Sequence, residues 1–596
     1  MKPLYFGPKE RRLFGWLHGA AGAARTGLVV CNPSGYESVP AHPSMRHFCQ
    51  AAADAGIVAL RFDYDGTGDS AGNDREPARL AAWVKSVHHA IDLLRERGGV
   101  DRIALLGVRL GALLATLAAV ERDDVANLVA IAPFVTGKAY LRELRALQLA
   151  IERPPTPPGV VVEAGVQEAI GYALTPETQT ALGAVDLTKL ARPPAPSVLL
   201  IERDDLPGSN LWPDRLVAQG VSVECLRLPG YVEMMLAPQD AELPAVIRRA
   251  TTDWLRQRAD QHPDARASRP ASVAATLPTR AHLEGVVESA EFVDEQRRVF
   301  GVLANPESPP SRRRGLLLLN AGVAHHIGSN RLYVTLARRW ARLGHAVLRL
   351  DLSGIGDSGA RAGERESDAY PAHASEDIRA AVAFLRAQPG VVDVQALGIC
   401  SGGYHAFKAA VAGISLDGVV LINPLTFSHE PELPLEAAPL VDDGEATRSA
   451  RQKKWGRRHP RVTDRRRGHL RRARISKRDN LSFELESLAR RNIAVRFLYS
   501  AGDPGVTLLE DQAGATVAKL HRRGQLVIDV IEGADHTFMP LWSQSLFIAK
   551  LAAHFDGLPQ AFGQSGHVQM GIYFDDEHDL ENAKALWRGL REQSRP

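Results

Sequence analysis

The sequence predicts an α/β protein made of two tandem copies of a mostly parallel, doubly wound sheet. The first observation behind this is a long internal repeat. Arg11-Arg12-Leu-Phe-Gly-Trp-Leu17 returns as Arg297-Arg298-Val-Phe-Gly-Val-Leu303, and Gly27-Leu-Val-Val-Cys-Asn32 returns as Gly315-Leu-Leu-Leu-Leu-Asn320. Arg61-Phe-Asp-Tyr-Asp-Gly-Thr-Gly-Asp-Ser70 matches Arg349-Leu-Asp-Leu-Ser-Gly-Ile-Gly-Asp-Ser358, with a separation that drifts only from 286 to 288. That period is far too long for a solenoid, so one domain is used twice. The second observation is alternation within each copy: apolar runs of strand length are followed by helical stretches such as Leu332 to Leu343 and Ser375 to Leu385. This pattern argues for a parallel sheet with helices on both faces.

In chain order, the start Met-Lys-Pro-Leu-Tyr-Phe-Gly-Pro-Lys-Glu-Arg-Arg lacks the apolar core of a signal peptide, and no run approaches bilayer-spanning length. Cys31, Cys49, Cys225 and Cys400 are widely scattered and form neither a disulfide framework nor a zinc pattern. Both features fit a cytoplasmic protein in a reducing compartment. A net charge of +3 results from 72 basic and 69 acidic residues, which nearly cancel, so only a local excess bears on partners. The loops Asp-Gly-Thr-Gly-Asp-Ser and Ser-Gly-Ile-Gly-Asp-Ser lack the full glycine spacing of a dinucleotide fingerprint and read as turns. We expect a first domain over residues 1–256 and a linker over 257–282, where apolar periodicity is lost. A second domain follows over 283–563, then a tail over 564–596 with a short helix, Asp579 to Leu590. The tail is suited either to docking on a domain or to oligomerisation.

The chemistry concentrates in the second copy. Residues 393 to 411 run from an apolar strand into a helix through Gly398-Ile-Cys400-Ser401-Gly402, which reads as a nucleophile elbow. Strand and helix pack closely at such a turn, so the residues two before and two after the nucleophile must be small. Gly398 and Gly402 flank Cys400 in this way, whereas a nucleophilic Ser401 would place Ile399 at the crowded position. The Ser401 N–H, first in the helix, is aimed to stabilise an oxyanion. Downstream, Asp503 and His536 each follow a predicted strand, giving the order nucleophile, acid, histidine. In this reading His536 takes the thiol proton and Asp503 fixes the imidazole tautomer.

The first copy departs from this pattern. Arg109 stands where Cys400 stands, and an arginine stays protonated and cannot accept an acyl group. Tyr231 replaces the histidine, while Asp204 or Asp205 falls near the place of Asp503 and is expected to pair with Arg109. The first domain is therefore expected to be catalytically silent. Its cleft either binds an anion through Arg109 or is held together by a buried Arg–Asp pair.

Around the second elbow, the loop Asn320-Ala321-Gly322-Val323-Ala-His325-His326-Ile-Gly328 follows the strand whose end supplies the other oxyanion amide. One N–H of Ala321 to Val323 is expected to serve. Asn320, His325, His326, Gly402 and Tyr404 are expected near the substrate, though the two histidines could equally cap the next helix; adjacent histidines alone make no metal site. An insertion at about 428–490 sits where a lid is expected. Its centre, Arg448 to Arg478, has fifteen Lys/Arg and one acid, Asp464. Such a run usually means a solvated basic face, but over a cleft it would also recruit an anionic substrate: a phosphopantetheine carrier, a CoA ester, an acidic glycan or lipid headgroups. Nucleic acid is disfavoured, because Trp455 is the lone interleaved aromatic.

These motifs resemble the α/β-hydrolase superfamily, and within it the tandem serine aminopeptidase-like hydrolases found beside exosortase and exopolysaccharide systems. Gly-Val-Arg-Leu-Gly and Leu-Pro-Gly-Tyr-Val-Glu-Met-Met of the first copy resemble one branch. Gly-Ile-Cys-Ser-Gly-Gly and Gly-Ala-Asp-His-Thr-Phe of the second resemble another. The resemblance implies two α/β-hydrolase domains with lid insertions and a Cys400, His536, Asp503 triad. A thiolate forms a thioester intermediate that passes to water or to another acceptor. The expected function is thus ester or thioester hydrolysis on a small-molecule or carrier-bound acyl substrate, with acyl transfer as one alternative and a non-enzymatic binding scaffold as another. No metal or organic cofactor is required.

Overall fold

A computed structural model describes all residues except 20–25, 99, 152–155, 158–162, 261–277, 284, 429–480 and 557–596. The first copy contributes strands β1 (Lys2–Phe6), β2 (Leu13–His18), β3 (Thr26–Cys31), β4 (Val58–Phe62), β5 (Arg102–Val108) and β6 (Val125–Ile131). A cap follows, holding the hairpin β7 (Gln167–Ala169) and β8 (Tyr172–Leu174), before β9 (Ser197–Glu202) and β10 (Ser222–Arg227) complete the sheet. Its order is β1-β2-β4-β3-β5-β6-β9-β10, antiparallel over β1, β2 and β4 and parallel beyond.

The second copy repeats this plan with one extra edge strand. Strands β11 (Arg280–Leu283), β12 (Val286–Phe292), β13 (Phe300–Pro306), β14 (Arg313–Leu319), β15 (Ala346–Leu350), β16 (Val391–Ile399), β17 (Gly418–Ile422), β18 (Ala494–Ser500) and β19 (Leu526–Ile531) are ordered β11-β12-β13-β15-β14-β16-β17-β18-β19. These are two tandem α/β-hydrolase sheets. The expected linker is narrower than 257–282. Helix Ala245–Asp260 runs into it, and its last residues form β11 on β12, with the Tyr5 N–H donating to the Pro278 carbonyl at 2.7 Å. The centre of the basic insertion and the tail helix lie outside the described residues.

Continuous apolar runs make the central strands because helices cover both faces. Alternate side chains go to opposite sides: Val29 and Val30 of β3 join different cores, as do Leu317 and Leu318 of β14. Helix Leu332–Arg342 shows the matching 3.6-residue pattern, burying Leu332, Leu336, Trp340 and Ala341 on the sheet.

The two copies meet through equivalent surfaces. Trp16 packs edge-on against Phe300 at 4.7 Å within a cluster that also holds Tyr5, Phe14 and Val302. Around it, Arg61 of the first copy pairs with Asp357 of the second at 2.5 Å, and the matching Arg349 pairs with the matching Asp69. Such reciprocal exchange is the signature of an isologous interface, here between two halves of one chain. Arg338 adds hydrogen bonds to the Asp69 and Ser70 carbonyls and an ion pair with Glu288. Burial works against the Asp69 carboxylate, but Arg349 and His326 outweigh it and hold the group well below the ordinary range.

Candidate active site at the second elbow

The strand β16 runs into helix Ser401–Val411 through Cys400, whose backbone lies at φ 56 and ψ −116. That left-handed conformation is strained for any residue with a Cβ, and it turns the side chain out at the strand's end. Packing imposes it. A Cβ on Gly398 would sit 2.2 Å from the Gly402 carbonyl carbon, and one on Gly402 would sit 2.6 Å from the Asn320 oxygen. Cys400 therefore occupies the apex and is half-buried. Ser401 is the first helical residue, almost fully buried, and its Oγ accepts a hydrogen bond from the Gly322 N–H at 3.0 Å.

Asp503 caps helix Pro504–Arg522, with one carboxylate oxygen accepting from the Gly505 N–H at 2.8 Å. Its other oxygen lies 2.6 Å from His536 Nδ1. The capping bond fixes the carboxylate and the carboxylate fixes the ring. His536 Nε2 is buried and has no hydrogen-bond partner among the described residues. Burial alone would lower the His536 pKa, yet its interactions with Asp503 and Cys400 raise it to about 10. Since Nε2 makes no bond of ordinary geometry, we take the Cys400 contribution as one of proximity. The site thus favours the protonated imidazole.

Two residues the sequence reading missed hold these loops together. Asn423, at φ 46 after β17, donates to the His536 carbonyl at 2.7 Å and to Ser500 Oγ at 2.9 Å, while its Oδ1 accepts from the Ser500 N–H. Ser500 Oγ in turn donates to the Asp535 carbonyl at 2.7 Å. The available signal was Asn423-Pro424 directly after an apolar strand, where the first copy has Ala132-Pro133.

Several expected substrate contacts are corrected. Asn320 is buried, donating to the Ala324 carbonyl and Asp351 and accepting from the Leu352 N–H. Its side chain is taken up in shaping the loop, and its backbone oxygen abuts Gly402. His326 is buried between Asp351 at 2.7 Å and Asp69 of the first domain at 2.6 Å, and His325 stacks on His42 at 4.1 Å, so both belong to the domain interface. His326, Asp351 and Asp357 bring potential ligand atoms within 4.8 Å of one another. Each is already committed to hydrogen bonds or ion pairs, so the group is an ion network. The Gly322 N–H is committed to Ser401 Oγ, which leaves the amides of Ala321 and Val323 as loop candidates beside that of Ser401. Tyr404 lies half-exposed one turn beyond Cys400, edge-on to Tyr370 at 5.3 Å.

The first elbow keeps the turn and changes the surroundings. Arg109 sits at φ 57 and ψ −122 and is 3% exposed. The expected partner is wrong: Arg109 pairs with Glu37 at 2.8 Å and Glu143 at 2.5 Å, while Asp205 pairs with Arg203 and Asp204 points to solvent. The carboxylates that reach the guanidinium come from the loop after β3 and from the cap, neither of which the alignment with Asp503 could indicate. Phe134 and Tyr231 stack on Arg109 at 4.1 and 5.6 Å, so Tyr231 does converge on the elbow. A separate cavity of about 460 Å³ lies between the domains, lined by Tyr36, Glu37, Tyr172, His325 and Arg331 among others; Cys400 and His536 do not line it.

The profile of the family described as serine aminopeptidase, S33, matches residues 42–165 and 311–520, more than half of the chain and parts of both copies. The chain belongs to this family. Among solved structures, Est1E from Butyrivibrio proteoclasticus is 14% identical with a TM-score of 0.34, over 44% of this chain and 100% of that one. The mouse alpha/beta hydrolase domain-containing protein 10 is 16% identical with a TM-score of 0.31, over 43% and 99%. The α/β hydrolase GrgF from Penicillium sp. sh18 is 17% identical with a TM-score of 0.32, over 44% and 99%. No curated protein matches. Family membership supports a hydrolytic enzyme, and no helix among the described residues is long and apolar enough to cross a membrane.

Proposed function

We propose that the second domain is a cysteine-dependent member of this S33 family that cleaves ester or thioester bonds through an acyl-cysteine, and that the first domain is catalytically silent. The observation that carries the reading is the His536–Asp503 pair beside an elbow whose apex residue is a thiol. His536 holds the proton released by Cys400, and the thiolate sulfur attacks the acyl carbonyl. The amides of Ser401 and of Ala321 or Val323 donate to the oxyanion that forms. As the tetrahedral intermediate collapses, the leaving oxygen or sulfur departs with the proton from His536, and the acyl group remains on Sγ as a thioester. Water, deprotonated by His536, then attacks that thioester and releases the acid, restoring the thiol. Asp503 keeps the tautomer and stays ionised throughout. A carboxylate and an imidazole paired at 2.6 Å, with Nε2 unbonded among the described residues, are more than a scaffold needs, which favours catalysis over ligand binding alone.

The test is steady-state hydrolysis of p-nitrophenyl esters and acyl-CoA thioesters by the full chain. Cys400→Ala is expected to lower kcat/KM by ~10⁴-fold or more. Retention of activity in that variant would refute the assignment. Acceleration by added alcohol, amine or thiol, with the acyl group recovered on the acceptor, would identify a transferase.

A further inference from the structure

The loop that carries His536 runs from Ile531 at the end of β19 to helix Leu541–Phe555 without regular structure, and Gly533 and Phe538 lie at positive φ. Its histidine can work only if this irregular segment is held. Asn423 and Ser500 hold its centre from within the second domain. Its far side is held by Gln544 and Asn330, which themselves rest on the first domain. Gln544 Nε2 donates both to the Met539 carbonyl of the loop at 3.1 Å and to the Gly171 carbonyl at 2.8 Å. Gly171 is at the tip of the cap hairpin of the first domain, where Ile170 and Gly171 lie at φ 50 and 83, the pair of positive φ values a type I′ turn requires. Asn330 is wedged against the same tip: a Cβ on Gly171 would fall 2.2 Å from Asn330 Oδ1, and Asn330 Nδ2 donates to the Phe538 carbonyl at 3.3 Å. Pro157, also of that cap, packs on Gly533, where a Cβ would come within 2.7 Å of its ring.

The hairpin is fixed to its own domain on both sides of the turn. The Ile170 N–H donates to Gln148 Oε1 at 2.8 Å and the Ala173 N–H to Asp74 Oδ2 at 3.0 Å. The contact is therefore an anchored strut, and its far end bears on residues within three positions of His536.

We propose that the cap hairpin of the silent domain is a positioning element for the His536 loop of the other domain, with Gly171, Gln544 and Asn330 as the positioning residues. This rests on the catalytic role proposed for His536. Without the strut, Gln544 and Asn330, which donate to the Met539 and Phe538 carbonyls, lose the first-domain contacts that fix them, and the ring is free to leave the line between Asp503 and Cys400. The arrangement gives the first domain a reason to persist although its own elbow carries an arginine.

The experiment compares the full chain with Gln544→Leu, Gly171→Ala and Gln544→Lys, the last keeping N–H donors at similar reach. For p-nitrophenyl ester hydrolysis, Gln544→Leu and Gly171→Ala are expected to lower kcat by about 10-fold or more, since small displacements of a catalytic group cost this much, with KM within about two-fold. Gln544→Lys should recover most of the loss. Alkylation of Cys400 by iodoacetamide at pH 7 should slow in the first two variants, while exposed Cys225 in the same digest stays unchanged. An unaltered kcat and Cys400 alkylation rate in both Gln544→Leu and Gly171→Ala would overturn the strut. Full activity in Cys400→Ala and His536→Ala would instead refute the catalytic reading beneath it, so the two failures are distinct.

Discussion

The two elbows differ by about a degree in φ, 57 at Arg109 and 56 at Cys400, yet they face different surroundings. An arginine has no catalytic use for a strained turn worth ~1–3 kcal/mol. The turn survives in the first copy because packing demands it: a Cβ on Gly107 would sit 2.4 Å from Ala112 and one on Gly111 would sit 2.1 Å from the Cys31 carbonyl. Strain at this position thus belongs to the fold. Chemistry is decided by what meets the apex side chain. At Cys400 it is an imidazole whose Nε2 has no hydrogen-bond partner among the described residues; at Arg109 it is two carboxylates and two aromatic rings. The supporting loop changes in step, since Asn423 and Ala132 share φ 46 but only the asparagine has an amide to hold a histidine loop.

If this contrast is right, Asp503→Asn should lower kcat by ~10²–10⁴-fold at the second elbow by misorienting the ring, measured by ester hydrolysis. At the first elbow the ranking should invert. Arg109→Met leaves the buried Glu37 without its cation, while Glu143 is partly exposed and keeps Arg203, and we expect a loss of about 3 kcal/mol in urea unfolding, with Cys400 still reactive to acyl esters.

The pH dependence sharpens the same point. The folded-state pKa of His536 is raised to about 10, above its ordinary value of 6.5. Its pairing therefore contributes stability that is fully present below about pH 6.5 and is lost as pH rises through about 10. Thermal melts of wild type and His536→Ala should differ most on the acid side of that window and converge above it. The smallest effect is expected for Ser401→Ala. It removes the acceptor of the Gly322 N–H, costing ~1 kcal/mol, and should change turnover by less than about 10-fold.

The repeat, the alternation of strands with helices and the place of the elbow turn were legible because apolar runs mark strands, and Gly398 and Gly402 bracket one residue. Asp503 and His536 were legible because each follows a strand end. What could not be read locally depends on the meeting of distant segments. His325 and His326 look like substrate contacts beside an oxyanion loop, and only docking of the first domain places them against His42 and Asp69. Glu37 and Glu143 reach Arg109 from segments far apart in sequence, and Gln544 meets Gly171 across more than half the chain. Nothing in the local pattern of these residues marks such pairings.

The central claim is that one elbow reacts and the other does not. The most direct measurement is peptide-resolved mass spectrometry of the full chain quenched with acid after brief exposure to an activated acyl ester. A single acyl adduct on the peptide carrying Cys400, lost in Cys400→Ala and reduced in His536→Ala, is the predicted result. An adduct on Ser401, on any residue of the first domain, or on none in the folded wild type would contradict it.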